Sequence, residues 1–163
     1  MNKDLIKLAG KLDITKMAYT IGGILLIIIM VIYIRKKISE AKTEKKNAEY
    51  LNDIATSINA SNLTYTSVEY QTMTDSLYSY LSDTRAGYAG VDEDGVYDIM
   101  SRLKTNDDVE KLIVVFGNKE IRKRWQTKSN IYTLPGAISA LMSQKERDKI
   151  NKRLEENGIT FKF

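Results

Sequence analysis

The chain has 163 residues, with 25 Lys and Arg against 21 Asp and Glu, and it contains neither Cys nor His. This length fits one domain with appended segments. Without Cys there is no disulfide framework, thiolate nucleophile or cysteine metal site, and without His there is no Ser-His-Asp triad or imidazole base. The composition excludes most common enzyme chemistries, and we therefore expect a protein that is not an enzyme.

The first long feature is an apolar segment, residues 17–34, of 18 consecutive uncharged residues. As a helix it would be about 27 Å long, which is enough to cross a bilayer core. Ten of its residues are Ile, Leu or Val, and together they favour insertion by roughly 3–6 kcal/mol. A signal peptide is a weaker alternative, because the segment is too long for one and no small-residue cleavage site follows it. A buried soluble helix is the other weaker alternative. We predict one transmembrane helix, marked by Met17, Tyr19, Ile24, Ile29, Tyr33 and Ile34.

Basic residues flank this segment on both sides, four before it and six between residues 35 and 46. Arg35, Lys36 and Lys37 follow it directly and are expected to anchor it at the membrane interface. The excess behind the span favours a cytoplasmic C-terminal body, or one that faces the capsid in a virus particle. Residues 1–16 carry three Leu at helical spacing, which fits either an amphipathic helix in the headgroup layer or a polar tail.

Between the span and the body, the sequence predicts a basic helical stalk over residues 35–58 and a hinge over residues 59–67. The stalk is indicated by an apolar stripe at helical spacing, and the hinge by a run of Ser, Asn and Thr. Charge divides the chain sharply, with a net +6 over residues 1–46, −9 over 47–110 and +7 over 111–163. Such asymmetry bears on partners and association rather than on fold.

Residues 68–163 show five helical periods and no sustained alternation of the kind that strands show, so we predict a compact all-helical domain. The first helix is expected to begin at a Thr66-x-x-Glu69 capping box. Its predicted buried face is Val68, Met73, Leu77, Tyr80 and Leu81. We therefore expect an all-α protein with one transmembrane helix, a stalk and a five-helix body.

The remaining helices of the body are predicted from their start and stop signals. Acidic residues from Asp92 begin the second helix, where the helix dipole favours them. The third is expected to be capped by Asn106 or Asp107 and to end at Gly117. The other predicted boundaries are Leu134-Pro135 at the start of the fourth helix, and Ser143 and Gly158 at the two ends of the fifth.

The order of these helices resembles one annexin repeat, over about residues 68–157. The annexin loop pattern G-x-G-T-D-E corresponds here to residues 88–93, Tyr-Ala-Gly-Val-Asp-Glu, and Ser101-Arg102 matches a Ser/Thr-Arg pair at the end of the second helix. The resemblance implies an annexin-like helical fold. It also implies a calcium loop that would use Gly90, Asp92 and Glu93.

The departures from the annexin pattern weaken that implied calcium site. Tyr88 replaces the first loop glycine, and the more distant carboxylate of an annexin site has no counterpart around Tyr132. Calcium requires roughly six to eight oxygen ligands, and annexins stack four repeats where this chain has one. We therefore expect no cofactor, and helix capping is the structural alternative for the acidic loop residues.

A basic segment lies between the third and fourth predicted helices and surrounds Trp125. Its cations are Lys119, Arg122, Lys123, Arg124 and Lys128. Cations mixed with an aromatic residue are typical of surfaces that bind anionic lipid or nucleic acid. The same pattern fits an exposed charged face around a buried Trp, so both interpretations stay open.

These features lead to the hypothesis of a non-enzymatic, single-pass membrane protein that links the bilayer to a protein assembly. A coat, vertex or other membrane-complex protein would be its partner, with self-association as a further option. The short basic anchor and small body are similar in style to structural membrane proteins of bacteriophages with an internal lipid layer. The alternative is an annexin-like domain that binds anionic lipid, through calcium or through the basic segment, and nucleic acid is a third class of partner.

Overall fold

The computed structural model describes residues 14–82, 90–122 and 129–163, with side chains from residue 25 onward within these ranges. The chain divides into two compact units, Met1–Lys42 and Thr43–Phe163. Most of the predicted N-terminal segment, residues 1–16, lies outside the described residues, as do residues 83–89 and 123–128.

The longest element is helix α1, Ile14–Ser57, which has 44 residues. It includes the predicted span and nearly all of the predicted stalk. Among the residues that the structure describes, no helix is both long enough and apolar enough to cross a membrane.

The described residues of the second unit form five further helices and two short strands. The helices are α2 Ser67–Leu81, α3 Glu93–Arg102, α4 Asn106–Phe116, α5 Leu134–Leu141 and α6 Gln144–Glu156. A single 3-10 turn, Ala60–Asn62, precedes α2. Helix α2 packs against α3 and α4, and α3 packs against α6. The all-α prediction is confirmed in its coarser form, because the described residues are mostly helical and those of the body form five α-helices.

The prediction that the body contains no strands is wrong. Strands β1, Lys119–Ile121, and β2, Asn130–Tyr132, pair antiparallel between α4 and α5. In their register Glu120 lies opposite Ile131. Each strand has three residues, which is too short for a period-two alternation to be recognised in the sequence.

The helix ends follow the local signals closely, with one correction. The Thr66–Glu69 capping box is present at the start of α2, and Ser143 caps α6. Gly117 ends α4 with a φ of 60°, a conformation that glycine adopts without steric cost. The predicted cap of α4 was wrong, because Thr105, not Asn106 or Asp107, occupies the cap position and forms a capping box with the third helical residue.

The core of the second unit is built from the inward faces of all five helices, and it also receives Ile121 from β1. The predicted buried face of α2 needs correction, because the Val68 side chain is 75% exposed. Tyr70 and Thr74, both fully buried, occupy that face together with Leu77 and Leu81. The apolar spacing alone did not reveal them, since Tyr and Thr are read as surface residues at least as often as core residues.

Gly95 marks a close approach between α3 and α2. A Cβ added at Gly95 would lie 2.8 Å from Cε2 of the Tyr80 ring. Replacing a helical Gly by Ala ordinarily stabilises a protein by about 0.5–1 kcal/mol. Because the ring must move here, we expect Gly95→Ala to destabilise the folded protein by about 1–2 kcal/mol.

The Gly95→Ala effect can be checked by thermal unfolding in the presence and absence of a second substitution, Tyr80→Leu. The smaller Leu side chain removes the ring that the new methyl group meets. We expect the cost of Ala at position 95 to fall by at least half in the Tyr80→Leu background. An equal cost in both backgrounds would show that contact with the ring is not its cause.

Candidate functional site

The most unusual surface in the described structure is the apolar run of α1, residues 25–34. All ten side chains of this run are between 42% and 68% exposed. A helix packed on one side against protein would instead show buried residues every three or four positions. A long apolar surface of this kind marks a site of interaction with protein or membrane.

The predicted span residues are only partly covered by the described side chains. Ile29, Tyr33 and Ile34 are 61%, 64% and 48% exposed. Met17, Tyr19 and Ile24 belong to α1, but their side chains lie outside the described part of the chain. The span predicted from the sequence begins at residue 17, eight positions before the first described side chain at residue 25.

The predicted interface anchors follow the apolar run directly on the same helix. Arg35, Lys36 and Lys37 are all exposed. The Nζ atom of Lys36 lies 3.2 Å from Oε1 of Glu40, one helical turn later. Such an exposed pair contributes only about 0.3–0.5 kcal/mol to the helix. Along α1, the side chains change from apolar at Ile34 to basic at Arg35, Lys36 and Lys37, which is less than one helical turn.

A second notable feature of the structure is a pair of acidic side chains, Asp107 and Asp108, at the start of α4. They form hydrogen bonds with the segment that precedes α2. Asp107 accepts hydrogen bonds from the backbone N–H of Asn59 at 2.6 Å and from Nδ2 of Asn62 at 2.9 Å. Asp108 accepts a bond from the N–H of Thr64 at 2.9 Å. The polar segment predicted as a hinge is thus tied to the first turn of α4 at several points.

Asp108 is fully buried and accepts five hydrogen bonds. Besides the Thr64 amide and hydroxyl, its donors are the Tyr70 hydroxyl at 2.5 Å and the backbone N–H groups of Lys104 and Thr105 at 3.1 and 3.2 Å. Burial would raise the pKa of Asp108, but the bonds from Thr64 and Tyr70 outweigh it and hold the pKa below its ordinary value. Asp108 thereby joins Thr64 and Tyr70 to the chain between α3 and α4.

The loop compared with an annexin calcium site is described only from residue 90 onward. Oδ1 of Asp92 accepts a hydrogen bond from the backbone N–H of Gly95 at 2.9 Å, so Asp92 caps α3. This is the structural alternative considered for the acidic residues. Gly90 is exposed and Glu93 occupies the first turn of α3. Within the described ranges, no group of three or more acidic side chains could hold a metal ion.

The predicted basic surface is also only partly described. The Nζ atom of Lys119 lies 5.6 Å from the centroid of the Tyr78 ring, a cation–π contact. Arg122 is exposed. Lys123, Arg124 and Lys128 lie outside the described residues, together with Trp125.

The structure brings together a group of residues that the sequence did not single out as a site. They line an open cleft of about 480 Å³ beside the C-terminal end of α3, called here the cationic cleft: Tyr65, Ser101, Arg102, Lys104, Arg153 and Asn157. Arg153 and Asn157 are more than fifty residues from the α3 end in sequence. No spacing rule connects positions that far apart, so only the packing of α6 against α3 reveals the cleft.

Side chains of the cleft satisfy the last carbonyl groups of α3. Nδ2 of Asn157 donates to the carbonyl oxygens of Ser101 and Leu103 at 3.1 and 2.8 Å. The Tyr65 hydroxyl donates to the carbonyl oxygen of Arg102 at 2.6 Å. Burial and the nearby carboxylate of Asp108 raise the pKa of Tyr65, so its phenol remains a donor.

Comparison with known proteins adds no relative. No protein-family model, no curated protein and no solved structure matches the chain. The resemblance to an annexin repeat therefore stays a prediction from the sequence.

Proposed function

We propose that the protein is a non-enzymatic, single-pass membrane protein whose helical body links the bilayer to a protein assembly. The observation that carries this proposal is the apolar run of α1. Ten consecutive side chains are exposed on every side of the helix, and the apolar sequence extends back to residue 17. A helix with no polar face gains most by lying within lipid.

Charge placement supports both the anchor and its orientation. Three cations follow the apolar run directly, where they can contact the phosphates of the headgroup layer. With six basic residues behind the span and four before it, the body lies on the cytoplasmic side in this proposal. In a virus particle with an internal membrane, the same body would face the coat.

The body supports a role in attachment rather than in catalysis. Among the described residues, the most deeply buried carboxylate, Asp108, accepts five hydrogen bonds. The helices of the body are held by capping and core packing. The partner in this proposal is a coat, vertex or other membrane-complex protein, and several copies of the chain would act together.

We expect the full-length protein to remain in the membrane pellet after washing with alkaline carbonate. An inserted span of this hydrophobicity is not released by loss of electrostatic contacts, since its insertion energy of roughly 3–6 kcal/mol comes from apolar residues. The measurement is immunoblotting of pellet and supernatant after the wash. A peripheral protein of the same membrane provides the control, and release of this chain with that control would contradict the anchor.

The scaffold role is tested separately by chemical crosslinking in intact membranes or particles, followed by mass spectrometry. The proposal predicts crosslinks from exposed lysines of the body, such as Lys145 and Lys152 on α6, to one abundant protein neighbour. Crosslinks to no protein at all, in a sample where the chain resists carbonate, would leave the anchor intact and overturn the scaffold role.

Direct binding of the body to anionic lipid is the second candidate function. The observations that favour it are the exposed Arg122 and the cations of the cationic cleft. Binding of the body to anionic lipid would be weakened by salt, which distinguishes it from an inserted helix. The reason is that exposed charges more than about 8 Å apart are screened at physiological ionic strength. A calcium requirement would instead favour the annexin-like loop.

A further inference from the structure

We propose that the cationic cleft binds a phosphate monoester. Its lining brings together three cations from two separate elements, Arg102 and Lys104 at the end of α3 and Arg153 on α6. A cleft of about 480 Å³ lies within the size range of small-ligand sites, roughly 300–1,000 Å³. This inference does not depend on the proposed scaffold role.

The charge balance of the cleft favours an anion. Nη1 of Arg153 pairs with Oε2 of Glu156 at 3.2 Å. Among the described ion pairs, Arg102 and Lys104 have no acidic partner. About two positive charges therefore remain at the cleft, and a phosphate monoester carries about −1.5 to −2 at neutral pH.

The end of α3 would normally oppose an anion, because helix C-terminal carbonyls carry partial negative charge. Here the carbonyls of Ser101, Arg102 and Leu103 already accept hydrogen bonds from Asn157 and Tyr65. Each of these carbonyl oxygens therefore already has a hydrogen-bond donor. The cations are thus left as the groups that can interact with a ligand.

Two carboxylates that act electrostatically on Tyr65, a lining residue of the cleft, already accept hydrogen bonds of their own. Glu69 accepts bonds from the Thr66 N–H and hydroxyl in the capping box of α2, and Asp108 accepts five bonds in the interior. Both still weaken the positive potential. Since the cleft is also open to water, we expect affinity for inorganic phosphate in the millimolar range.

The arrangement favours phosphate over a carboxylate group. A carboxylate offers two oxygens in one plane, which suits a single bidentate Arg. Two guanidinium groups and an ammonium on different elements suit a tetrahedral group with three outward oxygens. The phosphate could belong to a soluble molecule or to a lipid headgroup, and the test below separates these sources.

The test titrates inorganic phosphate into the full-length, ¹⁵N-labelled protein in neutral maltoside micelles at constant ionic strength. The readout is the NMR signal of the Asn157 side-chain amide, which lies in the cleft wall. We expect a saturable shift in the wild-type protein. In the double variant Arg102→Gln/Lys104→Gln, apparent affinity should fall about tenfold.

The matched control is Lys145→Gln/Lys152→Gln, which removes two charges from exposed positions on α6 outside the cleft. It should retain the wild-type affinity, and both variants should keep the wild-type melting temperature. No saturable shift in the wild type, or equal weakening in both variants, would overturn the proposal. If the double cleft variant loses its structure, the titration is repeated with Arg153→Gln alone. This single variant should weaken binding several-fold.

To separate the two sources of the phosphate, the same titration with free phosphate is repeated in the presence of vesicles. They contain either phosphatidic acid, whose headgroup is a phosphate monoester, or phosphatidylserine at equal charge. If phosphatidic acid alone prevents the response to free phosphate, the ligand is a lipid headgroup. If free phosphate binds equally with both lipids, the ligand is soluble. A reduced response with both lipids would show that the site senses only surface charge and would overturn selectivity for the monoester.

Discussion

Replacing Asp108 by Asn is expected to destabilise the folded protein by about 3 kcal/mol, although the two side chains have the same size. One carboxylate oxygen accepts from the Thr64 N–H, and the other accepts from the N–H groups of Lys104 and Thr105. An amide has one acceptor and one donor end. Whichever way it is placed, its NH₂ group faces at least one backbone N–H, which is then buried without an acceptor.

The measurement is thermal unfolding of the full-length protein, followed by circular dichroism in neutral micelles. A loss of about 3 kcal/mol corresponds to a decrease of roughly 10 °C in the melting temperature. Asp98→Asn is the control, because Asp98 is exposed on α3 and should change the midpoint by no more than about 2 °C. Similar midpoints for the two variants would show that the five bonds to Asp108 contribute little.

The same carboxylate predicts a dependence on pH. The pKa of Asp108 is lowered in the folded state by its hydrogen bonds with Thr64 and Tyr70. Its stabilising contribution is therefore complete above the pKa of the unfolded chain, about 3.9, and is lost as pH falls through the lower folded value. The stability difference between wild type and Asp108→Asn should accordingly shrink below about pH 4.

Two arginines near the middle of the predicted span, Leu25→Arg and Ile28→Arg together, are expected to release the protein from the membrane. Each Arg near the centre of a span costs about 2.5–3.5 kcal/mol, and each lost apolar side chain removes a further few tenths. The combined cost of about 6–8 kcal/mol exceeds the roughly 3–6 kcal/mol gained by the whole segment. The measurement is again partition between pellet and supernatant after alkaline carbonate.

Ile38→Arg provides the matched control for the double arginine variant. Ile38 is a 51% exposed apolar residue on the same helix, but it lies beyond the predicted span, among the basic residues. The control should remain in the pellet. If the double variant also remains there, the segment is not the anchor. If it stays bound only at low salt, direct contact of the body with anionic lipid accounts for the attachment.

Most of the body's helices could be predicted because their signals are local. The capping box at Thr66, the proline at the start of α5 and the glycine after α4 each act within one or two turns. Their physical effect is independent of what packs on the helix. Secondary structure was therefore recognisable without any knowledge of the tertiary fold.

The predictions that proved wrong concern residues whose positions depend on contacts with distant parts of the chain. Val68 has the right spacing for a buried face, but Tyr70 takes that place because its hydroxyl finds Asp108 on another helix. Thr105 caps α4, although the more usual cap residues Asn106 and Asp107 follow it. Asn106 instead accepts bonds from the Thr160 and Phe161 N–H groups near the C-terminus. Such long-range bonds have no signature in local sequence.

The candidate sites show the same division. The apolar run could be predicted from the sequence alone, because a lipid environment favours apolar side chains at every position of the segment. The cationic cleft was not visible, since Arg102 and Arg153 are neighbours only through the packing of α3 and α6. From the sequence, Ser101-Arg102 could be identified only as a match to a Ser/Thr-Arg pair of annexins. That match does not predict that Arg153 of α6 lies beside Arg102.

The ties between the segment before α2 and the start of α4 have a mechanical consequence. Ser57 bonds to Glu110, Asn59 and Asn62 to Asp107, and Thr64 to Asp108. The three acceptors lie within four residues of one helix. A pulling force that reaches the body at Ser57 must break these bonds before the segment can peel away from α4.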